Sequence, residues 1–120
     1  MGENRIKLVA ADMDGTLLNR ERKITKYTQN VIKKAMAQGV YFVPATGRAV
    51  NALPPELKEM EGIRYGIFSN GATIYDLKEE KVIYKNHFEM DRVLELMDFL
   101  KQFDLMESIS LNGQSYANKK

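Results

Sequence analysis

Cysteine is absent from all 120 residues, which excludes disulfides and thiolate metal centres. A reducing compartment is compatible with that absence. Charge of one sign is lacking as well: 18 Lys and Arg stand against 16 Asp and Glu. The resulting +2 is too slight to draw the chain to nucleic acid or to an acidic membrane surface. No apolar run approaches the roughly 20 residues that a membrane helix requires. The start, Met1-Gly2-Glu3-Asn4-Arg5, leads into a short strand-like run and not into the longer apolar core of a signal peptide. Internal repeats and low-complexity tracts are missing too. What remains is 44% apolar and 28% charged, the balance of a globular protein with room for one small domain. The expectation is a cytoplasmic protein that binds neither nucleic acid nor membrane.

Ile6 to Ala11 is a nearly continuous apolar run that stops at Asp12, which suits a strand buried on both faces of a helix-covered parallel sheet. Asn19 to Lys23 reads as a polar loop or flap. Thr25 is placed to cap a helix from about Lys26 to Gln38, whose stripe is Tyr27, Val31, Ala35 and Ile32, Met36, with Gly39 as its terminal glycine. Val40 to Ala45 is a second strand, ending at Thr46-Gly47-Arg48. A helical stretch interrupted at Pro54-Pro55 runs to about Met60, and a third strand, Tyr65 to Ser69, ends at Asn70-Gly71. Strand, helix, strand, helix, strand with short connections predicts right-handed crossovers and a parallel, doubly wound sheet. Beyond it, Ala72–Tyr75 and Lys81–Lys85 predict a hairpin around the charged turn Asp76–Glu80, and Asn86–Glu89 a linker. A helix over Asp91–Phe103 presents Val93, Leu94, Met97 and Leu100. Ser108–Leu111 and Gln114–Ala117 then flank Asn112-Gly113, a strong hairpin signal. Residues 1–85 thus form a first unit and 86–120 the opening of a second α/β module.

The chemistry is concentrated in Asp12-Met13-Asp14-Gly15-Thr16-Leu17-Leu18. Side chains two apart on an extended segment point to one side, so both carboxylates can face one site. Paired carboxylates repel, and a hard divalent cation such as Mg²⁺ relieves the conflict. Asp12 can then attack phosphorus, and Asp14 can protonate a leaving oxygen and later take a proton from water. Gly15 lets the chain turn away at the strand end. Read alone, Asp12 could equally cap a helix and Asp14 be a loop carboxylate. Thr46-Gly47 could simply begin a helix, Arg48 be a surface charge, and Asn70-Gly71 an ordinary turn. The single His, His87, sits in the linker and reads as structural or solvent-exposed. Strand-end positions nevertheless bring Asp12, Thr46 and Asn70 to the edge where open parallel sheets bind ligands.

The seven-residue string resembles the first signature of the haloacid dehalogenase superfamily of phosphatases, and Thr46 matches its second in position and type. Ser69-Asn70-Gly71-Ala72 followed by a hairpin is similar to the Cof-like subgroup, whose α/β cap enters at that point. The resemblance implies an incomplete Rossmann-like α/β core with a hairpin leading into the start of a cap near Asn86. It implies Asp12 as nucleophile and Mg²⁺ ligand, and Asp14 as general acid/base binding the metal through its backbone carbonyl. Thr46 would donate its hydroxyl to a phosphoryl oxygen with help from the Gly47 amide, while Arg48, Asn70 and Gly71 lie towards the substrate. Because Thr46 ends a strand, loss of its hydroxyl is expected to cost phosphate binding more than stability.

A Lys and an acidic cluster that this family places after its cap have no counterpart here, Lys85, Lys119 and Lys120 being poor stand-ins. The expectation is therefore the amino-terminal portion of a Mg²⁺-dependent hydrolase of small phosphorylated metabolites such as sugar phosphates, weak or inactive alone. The alternative is a non-catalytic fragment that binds metal or phosphate and acts only by association. Either way the chain should self-associate or bind its missing carboxy-terminal part. In the sheet order typical of this resemblance, the strand missing beside Ile6–Ala11 would leave that run at an open edge. A dinucleotide-binding reading fails for want of G-x-G-x-x-G after the first strand, and the motif's spacing is not that of a receiver-type phosphoacceptor domain.

Overall fold

The computed structural model describes residues 5–112 and 114–118. The opening Met1–Asn4, the turn glycine Gly113 and the terminal Lys119 and Lys120 lie outside the described residues. A five-stranded sheet runs in the order β1 (Leu8–Asp12), β2 (Tyr41–Ala45), β3 (Tyr65–Phe68), β4 (Thr73–Asp76), β5 (Lys81–Lys85). The first three strands are parallel, and β4 and β5 continue antiparallel. Helix α1 (Lys26–Ala37) links β1 to β2 and the short α2 (Pro55–Lys58) precedes β3. After β5 come α3 (Met90–Leu100) and a separate two-stranded sheet of β6 (Ser108–Leu111) and β7 (Gln114–Ala117). None of the described helices is long and apolar enough to cross a membrane.

Local signals set these boundaries. The Thr25 hydroxyl accepts the Thr28 N–H at 3.2 Å and starts α1. Gly39, at φ +84°, closes it by donating to the Met36 carbonyl. Asn112 takes φ +51° at the β6–β7 turn, as a tight hairpin requires. The flap over 19–23 is closed by the Asn19 side chain, which accepts the backbone N–H groups of Glu21 and Lys23.

One face of the sheet carries the core. Phe42, Phe68 and Met13 pack with Ile32 of α1, Leu57 of α2, and Leu18, Ile24, Leu53, Met60 and Ile63. The expected burial of the first strand on both faces is not found. Its residues are exposed apart from Ala11, which is half-buried. The reason is topological: β1 lies at the sheet edge, and α1 and α2 pack against the Phe42 face around the middle of the sheet. Alternation places Ile6, Leu8 and Tyr41 on the opposite face, where all three are exposed. Two predicted helix stripes are likewise only half right. In α1, Ile32 and Met36 enter the core whereas Tyr27 and Val31 face solvent, and in α3 Leu94 is exposed beside the half-buried Val93, Met97 and Leu100. Periodicity identifies an apolar stripe, but its width on the folded protein depends on what lies against it.

Candidate active site

Asp12 ends β1, and the next residue, Met13, is fully buried in the core. The chain then leaves the strand in a turn closed by the Leu18 N–H on the Met13 carbonyl at 2.9 Å, with Gly15 at φ +79°. An L residue with a side chain resists that left-handed conformation, which explains glycine at this point. The buried methionine and the turn together hold Asp12 at the carboxyl end of the strand. Its Oδ2 accepts the Thr16 hydroxyl at 3.2 Å. Thr16 was not singled out from the sequence, although its place four residues along the motif was the available signal.

The ends of β2 and β3 are braced together beside it. The Thr46 N–H donates to the Ile67 carbonyl, the Asn70 N–H to the Thr46 carbonyl and the Ser69 N–H to the Arg48 carbonyl, at 2.9, 3.1 and 3.0 Å. Ser69, Asn70 and Gly71 all take positive φ, of +51°, +55° and +93°. Two consecutive non-glycine residues in this region store strain of about 1–3 kcal/mol each. The turn places the Asn70 side chain against Gly47, where an added Cβ would lie 2.8 Å from Asn70 Oδ1. Thr46 is buried, and its hydroxyl accepts the Arg48 N–H at 3.0 Å. It therefore belongs to the packed structure as well as to the cleft, so its hydroxyl bears on stability as well as on the cleft. Its own O–H remains available to donate.

Asp12, Thr46, Gly47, Asn70 and Gly71, with Ala45 and Ile67, line an open cleft of about 310 Å³. Asp14 and Arg48 do not line it. They are paired with each other, Arg48 Nη2 on Asp14 Oδ1 at 2.6 Å and Nε on Oδ2 at 2.8 Å, while Nη1 reaches the Ala52 carbonyl at 3.2 Å. The Arg48 hydrogen bonds hold the Asp14 carboxyl below the usual carboxylate range, with its charge adding to the effect. A larger cavity, about 950 Å³, lies between β4, the 86–88 segment, α3 and β6, with a mainly apolar lining. His87 borders it, its Nε2 against the Thr73 hydroxyl at 3.0 Å, a structural contact. Neither Asp12 nor Asp14 lines that cavity. The smaller cleft sits where parallel sheets bind ligands and carries the acid, so it is the better candidate for chemistry.

A largely parallel sheet with a carboxylate and two polar turns at its strand ends defines an α/β protein with a cleft at the carboxyl ends of its strands. The haloacid dehalogenase-like hydrolase family model matches residues 9–120, and the chain belongs to that family. It is 37% identical over 89 residues to the 5-amino-6-(5-phospho-D-ribitylamino)uracil phosphatase of Bacillus subtilis, covering 71% of this chain and 36% of that protein. A phosphatase of the same superfamily from Bacteroides thetaiotaomicron superposes with a TM-score of 0.75 at 29% identity, over 96% of this chain and 42% of that one. A subclass IIB sugar phosphatase gives 0.75 at 28% identity, over 92% and 43%. The chain spans less than half the length of the curated relatives it resembles, from 33% to 44%.

Proposed function

We propose that the strand-end cleft receives the phosphoryl group of a small phosphorylated metabolite and that Asp12 is the nucleophile of its hydrolysis. The observation that carries this reading is the convergence of Asp12, Thr46 and Asn70 from three successive parallel strands on one cleft. In the first step an Asp12 carboxylate oxygen attacks phosphorus and the bond to the leaving oxygen breaks, that oxygen taking its proton from Asp14. In the second, water attacks the aspartyl-phosphate, Asp14 takes the proton of the water, and Asp12 and inorganic phosphate are released. The Thr46 hydroxyl and the Gly47 N–H would hold phosphoryl oxygens. Sugar phosphates are the favoured substrate class, since relatives named for a phosphoribityl compound and for sugar phosphates share the fold.

The donor set fits Mg²⁺ in kind. Asp12 forms no ion pair among the described residues, and Mg²⁺ is characteristically held by one or two carboxylates, substrate phosphate and water. The Asp12 carboxylate and the Asp14 backbone carbonyl would hold it, and when bound it would neutralise charge on the phosphoryl oxygens. Among the described residues no three His, Cys, Asp or Glu side chains converge to complete such a shell. Among the described residues no lysine lines the cleft. These observations favour a second reading for the 120-residue chain by itself, a weak binder of metal or phosphate whose activity requires association with further chain. Hydrolysis of p-nitrophenyl phosphate with and without Mg²⁺, by this chain and by Asp12→Asn, tests the first reading. Activity retained in Asp12→Asn would remove Asp12 from the reaction. Beryllium fluoride with Mg²⁺ should form its adduct on Asp12, and an adduct on Asp14 would reverse the two roles.

A further inference from the structure

We infer that Arg48 is a latch on Asp14, a positioning residue that keeps the second carboxylate out of the cleft until a phosphoryl group takes the guanidinium in its place. The inference rests on the phosphoryl reading of the cleft. Every nitrogen of the Arg48 guanidinium is engaged, two on Asp14 and one on the Ala52 carbonyl. Its backbone is fixed at both ends of the residue, the N–H on the Thr46 hydroxyl and the carbonyl under the Ser69 N–H. The side chain therefore pivots from a rigid point next to Gly47, which lines the cleft. Its outer end is not rigidly enclosed. The Arg48 side chain is 27% exposed and that of Asp14 54%, so the ion pair sits at a solvent-open rim.

A guanidinium fork fits a carboxylate and a phosphate in the same bidentate manner. Moving Arg48 from Asp14 to a phosphoryl group exchanges one charge-assisted pair for another, with no covalent bond altered. Two arrangements of similar energy are what a ligand-biased switch needs. The exchange also couples binding to catalysis, because the anion that occupies the cleft is the one that frees Asp14. A brace that merely ties the 13–17 turn to the 48–52 segment would use the same bonds. The two differ in sign, since a latch competes with phosphate for Arg48 and a brace does not. Apparent affinity falls by the fraction of time that the binding form is withheld.

The test is a double-mutant cycle on the full 120-residue chain with inorganic phosphate as the probe, read from the Thr46 and Gly47 amide resonances. If Arg48 rests on Asp14 about nine-tenths of the time, Asp14→Ala should tighten phosphate binding about tenfold. Arg48→Met should weaken it, and in that background Asp14→Ala should change it by less than about twofold. Asp14→Asn, which preserves shape, should tighten binding in the same direction, with amide dispersion confirming the fold of each variant. Equal tightening in both backgrounds would reflect loss of a negative charge alone; it would overturn the latch and leave the cleft reading standing. Saturable shifts centred away from Thr46 and Gly47, or none, would overturn the cleft reading and the latch with it.

Discussion

At the scale of single residues, Thr46 and Gly47 do two jobs each, and substitutions can separate them. Thr46→Val removes the acceptor of the Arg48 N–H as well as the donor proposed for phosphate. It should cost about 1–3 kcal/mol of stability for the orphaned N–H, and a further 1.5–3 kcal/mol or so of phosphoryl affinity. Thr46→Ser keeps both partners and should restore most of each, as thermal melts and phosphate titration would reveal. If Thr46→Val melts with the parent chain, the hydroxyl is not structural; unchanged phosphate affinity would place the anchor elsewhere. Gly47→Ala is a different case. The new Cβ would lie 2.8 Å from Asn70 Oδ1, the far end of a movable side chain. Stability should fall by less than about 1 kcal/mol, whereas a displacement of Asn70 by about 1 Å could cost on the order of 10²-fold in turnover of the assembled enzyme. A large drop in melting temperature with turnover intact would contradict that placement of Asn70.

Among the elements, those defined by local chemistry were legible and those defined by distant partners were not. The cap at Thr25, the glycine at Gly39 and the β6–β7 pair around Asn112 sit where the sequence places them, since each depends on a few adjacent residues. The burial of β1 and the exposure of Tyr27 and Val31 depend on what covers them, and no local pattern carries that. The pairing of Arg48 with Asp14 joins positions 34 apart, and neither residue shows its partner. Asp76 is the clearest omission. It reads as part of a charged turn, yet it is 2% exposed and organises the β4–β5 turn. Its carboxylate accepts the N–H groups of Glu79 and Lys78 and two bonds from Arg64, whose guanidinium lies 5.2 Å from the Tyr65 ring centre. The Glu79 N–H first, then Arg64 and the Lys78 N–H, lower its pKa. A depressed carboxyl stabilises the fold above its unfolded value near 3.9, and that contribution is lost as pH falls through the folded value. Melting temperature between pH 7 and pH 3 should therefore drop more steeply for the parent chain than for Asp76→Asn, which starts lower at neutral pH. Parallel curves would remove Asp76 from the acid sensitivity of the fold.

On the scale of the whole molecule, the sheet has an edge that nothing described here covers. The Tyr41 N–H donates to the Lys7 carbonyl at 2.8 Å, so alternation turns Lys7, Val9 and Ala11 towards β2 and Leu8, Ala10 and Asp12 outward. Ile6 and Leu8 stand exposed along that edge, with the exposed Tyr41 beside them. Unpaired strand groups beside exposed apolar side chains recruit another strand. The purified chain should therefore form dimers or larger species in light scattering, and Leu8→Lys, a charge on the edge, should shift it towards monomer. Hydrogen exchange gives an independent check with a residue-by-residue signature. In dilute monomer the Val9 and Ala11 amides should be protected and those of Leu8 and Ala10 should exchange freely, gaining protection only as concentration rises. Self-association that leaves Leu8 and Ala10 unprotected would move the contact to another surface, the exposed β5 edge at Val82, Ile83 and Tyr84 being the alternative. A monodisperse monomer in which all four amides are protected would mean that the edge is already paired within one chain, and the topology itself would have to be redrawn.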